Sequence, residues 1–353
     1  MPLFYKDQPV FGFDIGRSSI KVMGIDQTGK KPKVTGYGSI TFDPSAINNG
    51  IITNPEIVIK RSYDLFTKEL VGNLTTTRVG VSLPNANSFS RVITLPKMDN
   101  KDVAAAIRLE AEQSIPVPID DLYYDYNVTS VAEDGAQELQ LIACQKDIID
   151  SYLKVFDALG LEVALVESNI SAVSRMVAHA EAHDVGTLIV DFGSTACDLS
   201  VFDYNTVRVT GTVNCSGENV TKQIANKLGL TIEQAHSVKT RYGLEKSKKQ
   251  AEILEAVEPE LSKLINEIKK VIRYYAERSG TDKQIGQIIV LGGGANLPGL
   301  STYITNHTRV PARLCAPWSN LTFGKLQPPH ELETTLFTTA GGLSLANPKD
   351  MRQ

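Results

Sequence analysis

Two short stretches carry residue types able to hold a polyphosphate. "FDIGRSSIKV", from Phe13, sets Asp14 two residues before Gly16 and returns through Arg17, Ser18 and Ser19 to Lys21. "VDFGSTACDL", from Val190, sets Asp191 two residues before Gly193, Ser194 and Thr195. Each reads as strand, tight turn, strand. A turn built of glycine and small hydroxyl residues uncovers successive backbone N–H groups, and such a nest wraps an anion. An aspartate beside the turn repels the anion, yet it can hold the hydration water of a Mg2+ ion that neutralises it. Asp14 and Asp191 are the candidates for that role, and Lys21 is a candidate charge partner for the terminal phosphates. A third stretch, "LGGGANLPGL" from Leu291, places Gly292, Gly293 and Gly294 before Ala295 and Asn296. The missing side chains there leave room for a flat adenosine ring. Each piece alone is an ordinary turn. Together their order, hairpin, long interval, second hairpin, helices, glycine turn and final helix, describes two related halves closing on one nucleotide.

The intervening elements must position these turns. Alternation from Val10 to Ile25 predicts the first two strands, Lys33 to Ile40 a third, and "RVGVSLP" from Arg78 a buried strand. Asn54 and Pro55 open a helix, with Asn54 as N-cap. Residues 85–166 then read β-α-β-β-α-β, the order of a split βαβ or ferredoxin-like unit inserted into the first half. After the second hairpin come helical stretches and a long amphipathic run from Ile253 to Tyr275, in which Pro259 predicts a new helix start. "TTLFTTAGGLSLA", from Thr334, is expected to be a last helix broken at Gly341 and Gly342.

Composition narrows the class. With 353 residues, 42% of them hydrophobic and 22% charged, the chain builds more than one packed unit with a large core. A net charge of −4 gives no basic footprint, which argues against a nucleic-acid partner. Cys144, Cys197, Cys215 and Cys315 lack the paired spacing of a zinc site or disulfide framework and read as core residues of a reducing compartment. No apolar run reaches signal-peptide or membrane-span length, so the expected location is the cytoplasm, with any membrane contact made through partners.

At these turns the sequence resembles the actin-like ATPase superfamily. "FGFDIGRSSIKV", "RLEAEQSIPVPIDDLYYDY", "SGENVTKQIA" and "LGGGANLPGL" together narrow the resemblance to the PilM family of type IV pilus assembly. The stretch from Glu110 is the most discriminating, because it belongs to the insertion and not to the shared nucleotide fold.

The resemblance implies an α/β, two-lobed, ribonuclease H-like ATPase fold with an inserted FtsA-like subdomain. Residues 1–84, 167–185 and 335–353 would form the first lobe, 85–166 the insertion, and 186–334 the second lobe, with a helical subdomain at about 222–284. It implies ATP with Mg2+ as cofactors and adds Gly217, Glu218 and Lys239 to the nucleotide site, Glu218 as a ribose contact. It implies binding of the cytoplasmic amino-terminal tail of the membrane protein PilN, in a groove near the insertion. Through that tail the chain would join the inner-membrane platform and its motor proteins, with self-association left open. Arg17 stands where the family has a small hydroxyl residue, and His236 where it often has Glu. A hydrolytic relative carries a carboxylate where this chain has Ser168, preceded by Glu167, so no catalytic residue is assigned and slow or absent ATP hydrolysis is expected. An FtsA-like filament protein is the alternative. Its usual basic amphipathic helix has no counterpart in "ANPKDMRQ".

Overall fold

The computed structural model describes residues 9–85, 88–181, 185–203, 206–279 and 284–347. Strands β1 (Phe11–Ile15), β2 (Ser19–Asp26) and β3 (Lys33–Thr41) run antiparallel in succession. A ribbon of β4 (Ile47–Asn48) and β5 (Ile51–Ile52) and the helix α1 (Pro55–Asp64) lead to β6 (Val71–Gly72) and β7 (Arg78–Leu83). Pro55 takes the first helical position as expected, while the Asn54 side chain makes no capping bond.

Residues 88–145 leave this sheet and form their own. There β8 (Ser88–Leu95), α2 (Asn100–Ser114), β9 (Leu122–Val131) and β10 (Gln137–Gln145) give a three-stranded sheet ordered β8-β10-β9. Val103, Ile107 and Ala111 of α2 recur at helical spacing and cover Ile93, Leu139 and Leu141 on one face of it. Each large apolar side chain of this kind contributes about 1.5–3 kcal/mol when fully buried.

The β-α-β-β-α-β order of 85–166 is present, but its last two elements belong elsewhere. Helix α3 (Lys146–Ala158) packs its strongly apolar face, Ile148, Tyr152, Val155 and Phe156, into the core beneath β1 and β2. Strand β11 (Glu162–Ser168) pairs parallel with β7, so the first sheet is ordered β11-β7-β1-β2-β3-β6. The insertion is therefore one helix on three strands, because α3 finds its apolar partner in the first sheet.

After α4 (Asn169–Ala180) the pattern repeats. Strands β12 (Gly186–Phe192), β13 (Cys197–Asp203) and β14 (Thr206–Val213) are antiparallel. Helices α5 (Gly217–Leu228), α6 (Ile232–Tyr242) and α7 (Gln250–Ser279) follow, then β15 (Ile285–Leu291), α8 (Leu300–Thr308), β16 (Ala312–Leu314) and α9 (Thr338–Ser344). The second sheet, β14-β13-β12-β15-β16, has the order and strand directions of β3-β2-β1-β7-β11.

Two expectations about helix ends are corrected. Pro259 lies inside α7 and starts no new helix. Val257, Leu261, Leu264 and Ile268 on both sides of it are fully buried in one core, and that continuous apolar stripe offsets the missing N–H. Gly341 and Gly342 do not break α9 either. They let it wedge between α4 and the first sheet: a Cβ on Gly342 would sit 1.8 Å from the Ala172 carbonyl oxygen, and one on Gly12 1.9 Å from that of Ala340.

Candidate functional site

The two tight turns face one cavity of about 650 Å3, within the size range of small-molecule sites. In the first hairpin Asp14 lies opposite Lys21 across the β1–β2 ladder, and the Gly16 amide closes the turn on the Ser19 carbonyl at 2.9 Å. The Lys21 ammonium reaches Asp14 Oδ2 at 3.1 Å, and the Ser82 hydroxyl of β7 donates to Oδ1 at 2.8 Å. Both groups of the ion pair are mostly buried. Lys21 thus lies in the cavity wall but spends its charge on Asp14. Arg17 also borders the cavity, with its guanidinium donating to the Ile47 carbonyl at 3.0 Å, which ties the turn to the β4–β5 ribbon.

The second hairpin repeats the geometry with a different charge. Asp191 lies opposite Asp198 across β12–β13, and the Gly193 amide donates to the Ala196 carbonyl at 3.0 Å. Like charges directly opposite each other repel. Thr212 (2.6 Å), Asn169 (3.1 Å) and Asn85 (3.4 Å) donate to Asp198. Burial, then Asp198 and Asp14, push Asp191 up to about 7, with Lys21 pulling the other way.

The backbone amides of Arg17 and Ser18, and of Ser194 and Thr195, donate to no group among the described residues. All four residues border the cavity, so each turn brings unused backbone N–H groups to its wall. Asp14, Asp191 and Asp198 converge there against one ammonium already paired and one guanidinium turned aside, a donor set suited to a hydrated divalent cation. The described residues contain no group of three or more His, Cys, Asp or Glu side chains arranged to hold a metal directly.

The remaining sequence candidates divide. Gly292 and Gly293 border the cavity. Gly292 adopts φ +81°, and a Cβ there would meet Asp191 Oδ1 at 2.4 Å, so glycine lets the strand end approach the carboxylate. Gly294 instead packs its backbone on the Phe192 ring, and Asn296 turns away to donate to the Leu332 carbonyl. Gly217 and Glu218 open α5 directly behind the second turn, donating their amides to the Gly193 and Ser194 carbonyls at 3.0 Å each. Lys239 braces that helix start, donating to the Gly217 carbonyl (3.0 Å) and Thr221 hydroxyl (2.8 Å), and burial lowers its pKa despite nearby Glu218. These residues support the cavity wall rather than line it.

Sequence reasoning gave no role to Asp198, Asn169, Ser82 or Tyr152, which also border the cavity. A signal existed for Asp198, since it stands seven residues after Asp191 as Lys21 does after Asp14. Glu167 is engaged elsewhere, paired with the Arg175 guanidinium at 2.6 and 2.7 Å and accepting from Ser171, while Ser168 caps α4.

Two sheets of one strand order closing on a cleft between matched hairpins define an actin-like protein. The similarity of known proteins agrees: the structure matches MreB 5 of Spiroplasma citri bound to AMPPNP with a TM-score of 0.57 at 12% identity, covering 96% of this chain and 95% of that one. The family model of type IV pilus assembly protein PilM matches residues 12–347, and the chain belongs to that family. The solved PilM-PilN type IV pilus biogenesis complex gives a TM-score of 0.83 at 23% identity, covering 96% of this chain and 98% of the matched one. The cell division protein FtsA of Pseudomonas aeruginosa is 24% identical over 358 residues, covering 88% of this chain and 83% of that protein. Among the described residues no helix is long and apolar enough to cross a membrane.

Proposed function

We propose that this chain holds Mg-ATP between its two Asp-Gly turns and acts as a nucleotide-dependent scaffold of the type IV pilus machine. In this reading it binds the short cytoplasmic tail of a PilN-type membrane protein and through it joins the inner-membrane platform from the cytoplasmic side. The observation that carries the nucleotide half is the pair of matched hairpins whose turns border one cavity. The amides of Arg17, Ser18, Ser194 and Thr195 would hold phosphate oxygens. Asp14 and Asp191 would hold the hydration shell of Mg2+, which supplies the charge neutralisation that three convergent carboxylates otherwise deny a polyphosphate. Gly292 and Gly293 would leave space for the adenosine.

Hydrolysis is slow in this reading. Glu167, the carboxylate adjoining the position used by hydrolytic relatives, is clamped by Arg175 and Ser171. The nucleotide then acts by favouring one arrangement of the two lobes. The partner half is supported by family membership and by the fold shared with a chain of the PilM-PilN complex.

Calorimetric titration of a synthetic PilN amino-terminal peptide, with and without Mg-ATP, tests this half. Saturable binding at one site supports it, and no binding in either state rejects it. The FtsA relatives favour a second reading, a filament-forming protein; Mg-ATP-dependent sedimentation would support it, and a constant particle size would exclude it.

A further inference from the structure

Among the described residues four tyrosines are buried, and three of them donate their hydroxyl proton to a protein acceptor. Tyr37 donates to the Gln327 carbonyl at 2.7 Å, Tyr275 to Asp203 at 2.7 Å and Tyr303 to Glu258 at 2.9 Å. Tyr152, only 2% exposed, is the exception: its hydroxyl is fully buried with no hydrogen-bond partner among the described residues. It is also the one of the four that borders the cavity between the hairpins. A buried hydroxyl left unmade costs stability, so its retention calls for a reason outside the free protein.

Its surroundings indicate the reason. Tyr152 sits on α3, with its ring in the first-lobe core. The preceding residue, Ser151, accepts from the Ile52 amide at 3.0 Å and so fixes the β4–β5 ribbon beside the first turn. Asp14 is near enough for its charge to act on the phenol, and both of its oxygens already have partners in Ser82 and Lys21. Tyr152 therefore borders the cavity within reach of the Asp14 charge, with its donor unused.

We propose that the Tyr152 hydroxyl is a binding group for the phosphate and metal-water end of the nucleotide, donating a hydrogen bond that the free protein cannot make. This rests on the Mg-ATP reading above.

The test is Tyr152→Phe, which keeps the ring and removes only the donor. Thermal denaturation without nucleotide and calorimetry with Mg-ATP, Mg-ADP and adenosine are run on both proteins. The expected result is a free variant at least as stable as wild type, with about 3- to 10-fold weaker Mg-ATP and Mg-ADP binding and unchanged adenosine binding. Unchanged Mg-ATP affinity, or equal weakening of adenosine, overturns the proposal. A free variant that melts lower also overturns it, since the hydroxyl would then have a partner within the protein. If wild type itself binds no Mg-ATP, the nucleotide reading has failed and this assignment falls with it; wild-type binding with an unaffected variant sinks the assignment alone.

Discussion

Asp191 is the residue whose replacement should stabilise the free protein while destroying its function. Held at about 7 against an ordinary value of 3.8, its carboxyl keeps a proton in the folded state that the unfolded chain releases. The unfolded state therefore binds fewer protons between about pH 4 and pH 7, and stability falls as pH rises through that window before levelling off. At pH 8, where the carboxyl is ionised in both states, the displacement from 3.8 to about 7 costs the fold about 4 kcal/mol. For a chain of this length, with unfolding entropy near 2.1 cal/mol/K per residue, that is about 5 °C in Tm. Asp191→Asn removes the titration and the repulsion toward Asp198 and Asp14. The assay is thermal denaturation without nucleotide from pH 5 to pH 8, on wild type and variant. The Tm difference should widen in the variant's favour by about 4 °C across that range. A difference independent of pH would refute the reasoning, and a variant that becomes less stable toward pH 8 would reverse its sign.

Other consequences are read from the same contacts. Lys21→Met removes the cation that opposes the three carboxylates, so Asp191 should move further up and the pH-dependent loss of stability should shift to higher pH, visible in the same melts. Gly342→Ala drives a Cβ into the Ala172 carbonyl and should cost about 3 kcal/mol or more, measured as a lowered denaturant midpoint. Arg208 of β14 and Glu138 of β10 pair at 3.1 Å and clasp the insertion to the second lobe. Arg208→Glu should loosen the clasp by about 0.5–1 kcal/mol and speed proteolysis of the insertion, and adding Glu138→Arg should restore it. With Glu167 clamped by Arg175, ATP recovered from the protein after prolonged incubation should remain ATP; conversion to ADP at the rate of a working ATPase would contradict that expectation.

The sequence exposed those parts of the fold that local chemistry decides. Asp-x-Gly turns between alternating strands specify their hairpins from within, and α2 was legible because its apolar spacing and polar flanks agree. What it concealed depends on partners distant in the chain. Helix α3 follows the insertion directly, and only the apolar face of the first sheet claims it, as the β7 edge claims β11. Pro259 and the Gly341–Gly342 pair carry strong local signals for a break, overridden by a buried stripe in one case and by close helix packing in the other. At the site, Asp14, Gly16, Asp191, Gly193 and Gly292 were readable from spacing. Ser82 and Tyr152 stand in a strand and a helix with no motif of their own, and only the fold sets them beside Asp14. Conversely, Gly217, Lys239 and Asn296 lie near the cavity yet serve the packing and hydrogen bonding of its wall.

The most direct test of the central claim is calorimetric titration of Mg-ATP into the wild-type protein and into Asp191→Ala, with melting curves confirming that both are folded. Saturable binding to one site is predicted in wild type, dependent on Mg2+, and none detectable in the variant. Equal binding by the two proteins, or no binding by a folded wild type, would contradict it.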